Sequence, residues 1–209
     1  MLYETLHHRY SNLLQRPLDI GFMISGGIDS TVLLYTFIMI RRDIAGRSRF
    51  QAFTIPTGTD PIAAKRVLAY IEKHFDISMD HTVIEHDQNL DSKYFVRDGV
   101  MQAGQMCDTV MLGDTNYPRF LAGGPERVQS KSLRFVQPIF DWTKREVIAL
   151  AQEINMPDEL MMLTNSCAID DVCGQCWECK ERAWGFAAND LSDPKLVAMA
   201  GIEPATNGV

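Results

Sequence analysis

Two short stretches of this 209-residue chain carry residue types whose spacing implies chemistry. The first is "SGGIDS", Ser25–Ser30, set between the apolar runs "DIGFMI" and "TVLLYTFIMI". Glycine is entropically costly inside regular structure, so an adjacent pair at a strand-to-helix handover implies that something must come close to the backbone. A strand, then Ser-Gly-Gly, then a helical first turn gathers backbone N–H groups and a positive dipole end at one spot, which suits a cluster of anionic oxygens. Two common phosphate loops are excluded. No lysine lies between Gly26 and Leu34, where a G-x-x-x-x-G-K-[ST] loop would need one, and the G-x-G-x-x-G spacing of dinucleotide sites is absent. From the glycines alone, a tight turn without a ligand stays open.

The second stretch is "CAIDDVCGQCWEC", which holds four of the five cysteines, Cys167, Cys173, Cys176 and Cys179. Four thiolates joined by such short loops suit a closed tetrahedral Zn²⁺ site, and the glycine after Cys173 helps the chain turn around a metal. An iron–sulfur cluster is the rival, because C-x-x-C-x-x-C also occurs in ferredoxins, although the fourth cysteine here lies upstream. Buried cysteines without a ligand are the third possibility. The remaining thiol, Cys107, precedes a predicted strand and reads as a small core residue.

The elements that must position these stretches alternate. Strands are expected at Asp19–Ile24, Phe50–Ile55, Asp80–Ile84, Thr109–Leu112 and Leu133–Pro138. Helices are expected at Asp29–Arg42, from Asp60 with Pro61 in its first turn and Ile62, Val67, Tyr70 and Ile71 on its apolar side, at Leu90–Ala103, and at Thr143–Ile154, where "TKRE" is a capping box. This order predicts an α/β fold, a Rossmann-like parallel sheet with helices on both faces. Ligands of such sheets gather beyond the carboxyl ends of the strands, so Ser25–Ser30, Ile55–Thr59 and Gly113–Pro118 are expected around one crevice. We divide the chain into a nucleotide-binding domain over 1–155 and a small cysteine-bearing subdomain over 156–209 packed on it.

Composition narrows the class. With 46% hydrophobic and 22% charged residues the chain reads as globular rather than disordered. Its longest apolar run, Val32–Ile40, is too short for a bilayer, and the amphipathic start "MLYETLHHRYSNLLQRP" has no signal-peptide pattern, so a cytoplasmic location is expected. A formal charge of −7 argues against duplex binding, which needs a net basic face. Arg41, Arg42, Arg47 and Arg49 are either a local basic patch or a solvated loop. Neither G-x-S-x-G nor H-E-x-x-H occurs.

The full string Ser25-Gly26-Gly27-Ile28-Asp29-Ser30 resembles the SGGxDS loop of the N-type ATP pyrophosphatases, whose adenine nucleotide alpha hydrolase-like fold the resemblance implies. Together with "PIFDWTKRE" (138–146) and "TNSCAIDDVCGQCWECKERAWGF" (164–186), it is similar to the 7-cyano-7-deazaguanine synthase (QueC) family of queuosine biosynthesis. That resemblance implies an enzyme that uses ATP to adenylate the carboxylate of 7-carboxy-7-deazaguanine, lets ammonia displace AMP to give an amide, and activates the amide again to give a nitrile. It implies that Ser25, Gly26, Gly27, Asp29 and Ser30 hold pyrophosphate, with Ile55 and Gly113 beside the nucleotide. Four cysteines would hold structural Zn²⁺, and two subunits would pair. Asp29 would repel phosphate unless Mg²⁺ lay between them, so Mg²⁺-ATP is the expected ligand. Lys144 matches the family's lysine at the helix start and would reach the phosphates, or be an exposed helix lysine.

The middle of the chain departs from the family. "PTGTD" (56–60) stands where YGQ is expected, no clear PARN segment occurs near "YFVRDGV", and "GDTNYPRF" (113–120) is shorter than its counterpart. Asp114 could accept from a guanine-like edge, and Tyr117 and Arg119 could face the base and its carboxylate, or all three could be loop residues in water. Other readings follow from this: an enzyme that stops at the amide or joins the deazapurine to another acceptor such as a protein amine, a tRNA-modifying ATPase, or a non-catalytic nucleotide sensor.

Overall fold

The computed structural model describes residues 1–56, 60–85, 92–116, 129–130, 132, 134–167 and 173–199. Among these, five strands form one parallel sheet in the order β3-β2-β1-β4-β5: β1 (Asp19–Met23), β2 (Arg49–Thr54), β3 (Asp80–Val83), β4 (Thr109–Met111) and β5 (Phe135–Val136). The order reverses between β1 and β4, which opens a crevice at their carboxyl ends. The strands fall where expected to within two residues at each end; among the described residues β5 has a strand on one side alone and pairs over two residues.

Strand periodicity sorts the core into two clusters. Ile20, Phe22, Ala52 and Met111 face the larger one, which α1 (Leu2–Leu14), α2 (Ile28–Asp43), α3 (Asp60–Phe75), α5 (Lys144–Glu153) and α6 (Asp158–Leu163) complete. Phe53 and Val110 face the smaller one, covered by α4 (Ser92–Met106) through Ala103. Cys107 belongs to this second cluster, as its sequence context implies. Helix α2 runs through the protein with eleven buried residues, and its Asp29 in the first turn and Arg41 and Arg42 in the last complement its dipole. The N-terminal amphipathic stretch is α1, whose first amides, Leu2 and Tyr3, donate to the Glu153 carboxylate at 2.8 and 3.2 Å.

One expectation is corrected. Ile62 does not join the apolar side of α3 but is 60% exposed, because the buried stripe runs through Ala64, Val67, Leu68, Ile71 and Phe75, whose helical spacing leaves position 62 off that face. Of the four arginines, Arg41, Arg42 and Arg49 border one small cavity together with Asp19 and Asp80. Arg49 pairs with Asp19, while Arg41 and Arg42 lie over the rings of Phe50 and Phe75, all near the amino ends of the strands.

After Met156 the alternation stops, and α6, α7 (Trp177–Ala187) and α8 (Pro194–Met199) follow. Arg182 of α7, 1% exposed, ties them together. Its guanidinium donates to both Asp193 carboxylate oxygens at 2.6 and 2.9 Å, to the Thr164 hydroxyl at 2.6 Å and to the Met161 carbonyl at 3.2 Å. Phe186 carries α7 into the larger core cluster. No described helix is long and apolar enough to cross a membrane.

Candidate functional site

The crevice at the β1/β4 reversal opens into a cavity of about 1060 Å³, at the top of the range of roughly 300–1,000 Å³ found for small-molecule sites. Ser25, Gly27, Asp29 and Ser30 line it from the loop after β1, Ile55 from the end of β2, and Gly113 and Asp114 from the end of β4. The expected convergence of three strand ends is therefore present. The opposite wall differs in character: Val96, Val100 and Met101 of α4, with Phe135 of β5, make it apolar, and Arg97 stands among them.

The loop is shaped by two glycines with different tasks. Gly26 has φ +79°, the left-handed region, and packs against α3, where an added Cβ would lie 2.5 Å from both the Ala63 Cβ and the Ala64 nitrogen. Its carbonyl accepts from the Asn165 amide at 2.8 Å. Gly27 is the N-cap of α2, and its carbonyl accepts from the Thr31 hydroxyl at 2.7 Å. The Ser25 and Ser30 hydroxyls lie 3.3 Å apart beside it. At Gly113 the reason for glycine is space, since a Cβ would come 2.8 Å from the Ser30 Cα and push β4 off the first turn of α2.

Asp29 projects from that turn. Its Oδ2 accepts from the Lys144 ammonium and from the Thr115 hydroxyl, the latter at 3.4 Å, while Oδ1 is buried with no hydrogen-bond partner among the described residues. Lys144 is not an exposed helix lysine. It is 3% exposed, at the start of α5 behind the Thr143–Glu146 capping box, and pairs with Glu181 of α7 at 3.5 Å. Gly185 makes room for it, since a Cβ there would meet the Lys144 Cγ at 2.5 Å. Asp114 accepts from the Gln137 side-chain amide at 2.7 Å, which fixes its carboxylate on the cavity wall. Tyr117 and Arg119 lie outside the described residues.

The four cysteines converge. One sulfur from each of Cys167, Cys173, Cys176 and Cys179 lies within 4.8 Å of the others, and the Cys173–Cys179 and Cys167–Cys176 sulfurs are each 3.9 Å apart. A tetrahedron of thiolates around one ion with a metal–sulfur bond near 2.3 Å has edges of about 3.8 Å, so the group fits a single ion. A cubane cluster spreads its thiolates over four irons and needs them further apart. The local chemistry also asks for a cation. The Cys176 and Gln175 amides point at the Cys173 sulfur and hold its pKa below the usual thiol range, but burial pushes Cys179 up to about 12. Four sulfurs gathered this closely could hold a metal ion, and a cation would favour their thiolate form.

Sequence reasoning missed one wall of the cavity. Asn165 and Ser166, just before Cys167, and Trp177, Glu178 and Glu181 of α7 all line it, so the cysteine-bearing element borders the same space as the Ser-Gly-Gly loop. Neighbouring cysteines were the available signal, but nothing local says which way α7 faces.

The parallel sheet with this reversal and the Ser-Gly-Gly loop that opens α2 give the chain the fold of known solved structures. Residues 107–190, less than half of the chain, match the family described as queuosine biosynthesis protein QueC. Solved structures agree on the fold. The U34-tRNA thiolase NcsA from Methanococcus maripaludis with its [4Fe-4S] cluster is similar at 15% identity and a TM-score of 0.51, covering 95% of this chain and 77% of that one. An NMN synthetase from Francisella tularensis is similar at 13% identity and a TM-score of 0.50, covering 98% of this chain and 88% of that one. No curated protein matches the chain in sequence.

Proposed function

We propose that this protein uses ATP to activate the carboxylate of 7-carboxy-7-deazaguanine, or a closely related deazapurine acid, and replaces its oxygens with nitrogen. One observation carries the reading: the loop and the cysteine-bearing element, which hold the two strongest motifs of the QueC resemblance, border one cavity of about 1060 Å³. That volume accommodates a nucleotide and a second, planar reactant together.

The chemistry is a displacement at phosphorus followed by one at carbon. A carboxylate oxygen attacks the α-phosphorus, the bond to the β-phosphate breaks, and pyrophosphate leaves. Gly27 at the helix N-terminus and the hydroxyls of Ser25 and Ser30 are the donors that would stabilise charge as it builds on the leaving oxygens, with Gly26 holding the turn. Ammonia then attacks the acyl carbon and AMP departs with the former carboxylate oxygen. A second ATP adenylates the amide oxygen. Loss of AMP and two N–H protons leaves the nitrile. Asp29, with its unpartnered buried Oδ1, would hold Mg²⁺, which screens the phosphate charges when bound. Asp114, Tyr117 and Arg119 are the residues proposed to meet the deazapurine.

Zinc at the four cysteines has no open position and would be structural. We expect one zinc per chain by elemental analysis and no visible absorbance, whereas bound iron with charge-transfer bands would overturn this assignment.

The deciding experiment mixes the protein with Mg²⁺-ATP, 7-carboxy-7-deazaguanine and ammonia, and follows AMP, pyrophosphate and the deazapurine by mass spectrometry. Nitrile formation with two AMP per product is expected. The altered segments at 56–60 and 113–120 support a second reading, in which the reaction stops at the amide or passes the deazapurine to a protein amine. An amide or a protein adduct as sole product would select that reading, and no AMP release would overturn both.

A further inference from the structure

The cavity has two unlike walls. On one, the Ser-Gly-Gly loop offers backbone amides and hydroxyls; on the other, Val96, Val100 and Met101 of α4 and Phe135 of β5 offer an apolar face. Two glycines let α4 lie this close. A Cβ on Gly99 would stand 2.6 Å from the Ile55 Cγ1 at the end of β2, and one on Gly104 would stand 2.7 Å from the Phe135 ring. With the helix held there, positions 96, 97, 100 and 101, spaced as one helical face, border the cavity.

Arg97 is the charged member of that face. The cations bordering the cavity among the described residues are Lys144 and Arg97. Lys144 is paired with Asp29 and Glu181, whereas Arg97 has no carboxylate partner among the described residues. A guanidinium set among apolar side chains and a ring suits a flat anion: the apolar surface covers its face, and the fork of N–H donors meets a carboxylate in bidentate fashion.

We propose that Arg97 receives the carboxylate of the acid substrate, while the apolar face of α4 and Phe135 covers its ring. The inference deepens the reading above and rests on it for the identity of the acid. Arg119, read from the sequence as a partner for that carboxylate, lies outside the described residues. A carboxylate has two oxygens, so one can attack phosphorus while the other keeps its guanidinium bond. The amide that follows is neutral and gains less from a cation, so Arg97 determines selection of the acid and serves the first adenylation more than the second.

The test compares the full chain with Arg97→Gln and Arg97→Lys by isothermal titration with 7-carboxy-7-deazaguanine, with its carboxamide and with Mg²⁺-ATP. The unmodified protein is expected to bind the acid roughly tenfold more tightly than the amide. In Arg97→Gln, affinity for the acid is expected to fall roughly tenfold or more, with affinity for the amide and for ATP changed by less than about twofold. Arg97→Lys keeps the charge without the fork and is expected to fall between them. Arg97 is exposed, so the melting temperature should hold in both variants. Should Arg97→Gln lose its fold, Arg97→Lys decides, since its acid affinity must drop relative to its amide affinity. Unchanged acid affinity in Arg97→Gln, an equal loss for the amide, a loss confined to ATP, or no preference for the acid in the unmodified protein overturns the proposal. If the unmodified protein selects the acid but releases no AMP with it, the reaction assigned above fails, while the comparison of acid with amide still rules on Arg97.

Discussion

Gly26→Ala is expected to abolish measurable ATP binding and to lower the melting temperature by roughly 5–10 °C, an effect of about 2–4 kcal/mol. Two costs add. The backbone at φ +79° lies in the left-handed region, where a Cβ costs about 1–2 kcal/mol. The new methyl would also stand 2.5 Å from the Ala63 Cβ and the Ala64 nitrogen, and a helix backbone cannot yield as a side-chain tip can. Either α3 moves or the loop does. If the loop moves, its carbonyl leaves the Asn165 amide and the turn that presents Gly27 is lost. Gly27→Ala is the control. Its φ of −74° suits any residue, and its Cβ would meet the Ser25 hydroxyl at 3.2 Å, a group able to rotate. That variant should keep its melting temperature within a few degrees and still bind nucleotide more weakly. Isothermal titration and calorimetry on the pair separate shape from contact, and an ATP-binding Gly26→Ala protein would refute the role given to this turn.

Arg182→Ala carries the other large effect, about 3–5 kcal/mol, because it strands a buried carboxylate. Asp193 would lose both guanidinium bonds in a site where its side chain is 2% exposed, and the Thr164 hydroxyl and Met161 carbonyl would each lose a donor. These groups come from α6, α7 and the start of α8, so the damage should centre on the cysteine-bearing element. The expected sign is loss of zinc and a lowered melting temperature in the same protein. Arg182→Met combined with Asp193→Leu should recover part of the stability, since removing both charges leaves no uncompensated ion. Equal instability in the single and double variants would mean that packing over the Phe186 ring, 5.5 Å away, matters more than the ion pair.

Several parts of the architecture were determined by the sequence itself, for reasons that are local. Apolar runs with period two and amphipathic runs with period 3.6 are properties of contiguous residues, so the β1-loop-α2 unit, the capped α5 and the alternation that demands a parallel sheet could be read directly. So could the loop's suitability for anionic oxygens and the cysteines' for one metal, because both depend on short spacing.

Tertiary structure decided what depends on elements distant in the chain. Lys144 could be read as exposed or functional until α7 covered it, and the cover requires Gly185, forty-one residues on, to lack a side chain. Glu181 had no signal at all, since its meaning comes from the ammonium it meets across the α5–α7 contact. Cys167 and its neighbours announced a metal but not a cavity wall; that came from Asn165 bonding to Gly26, a contact spanning 139 positions. Residue type and spacing declare what a segment can bind, whereas the direction in which a helix faces is fixed by everything packed around it.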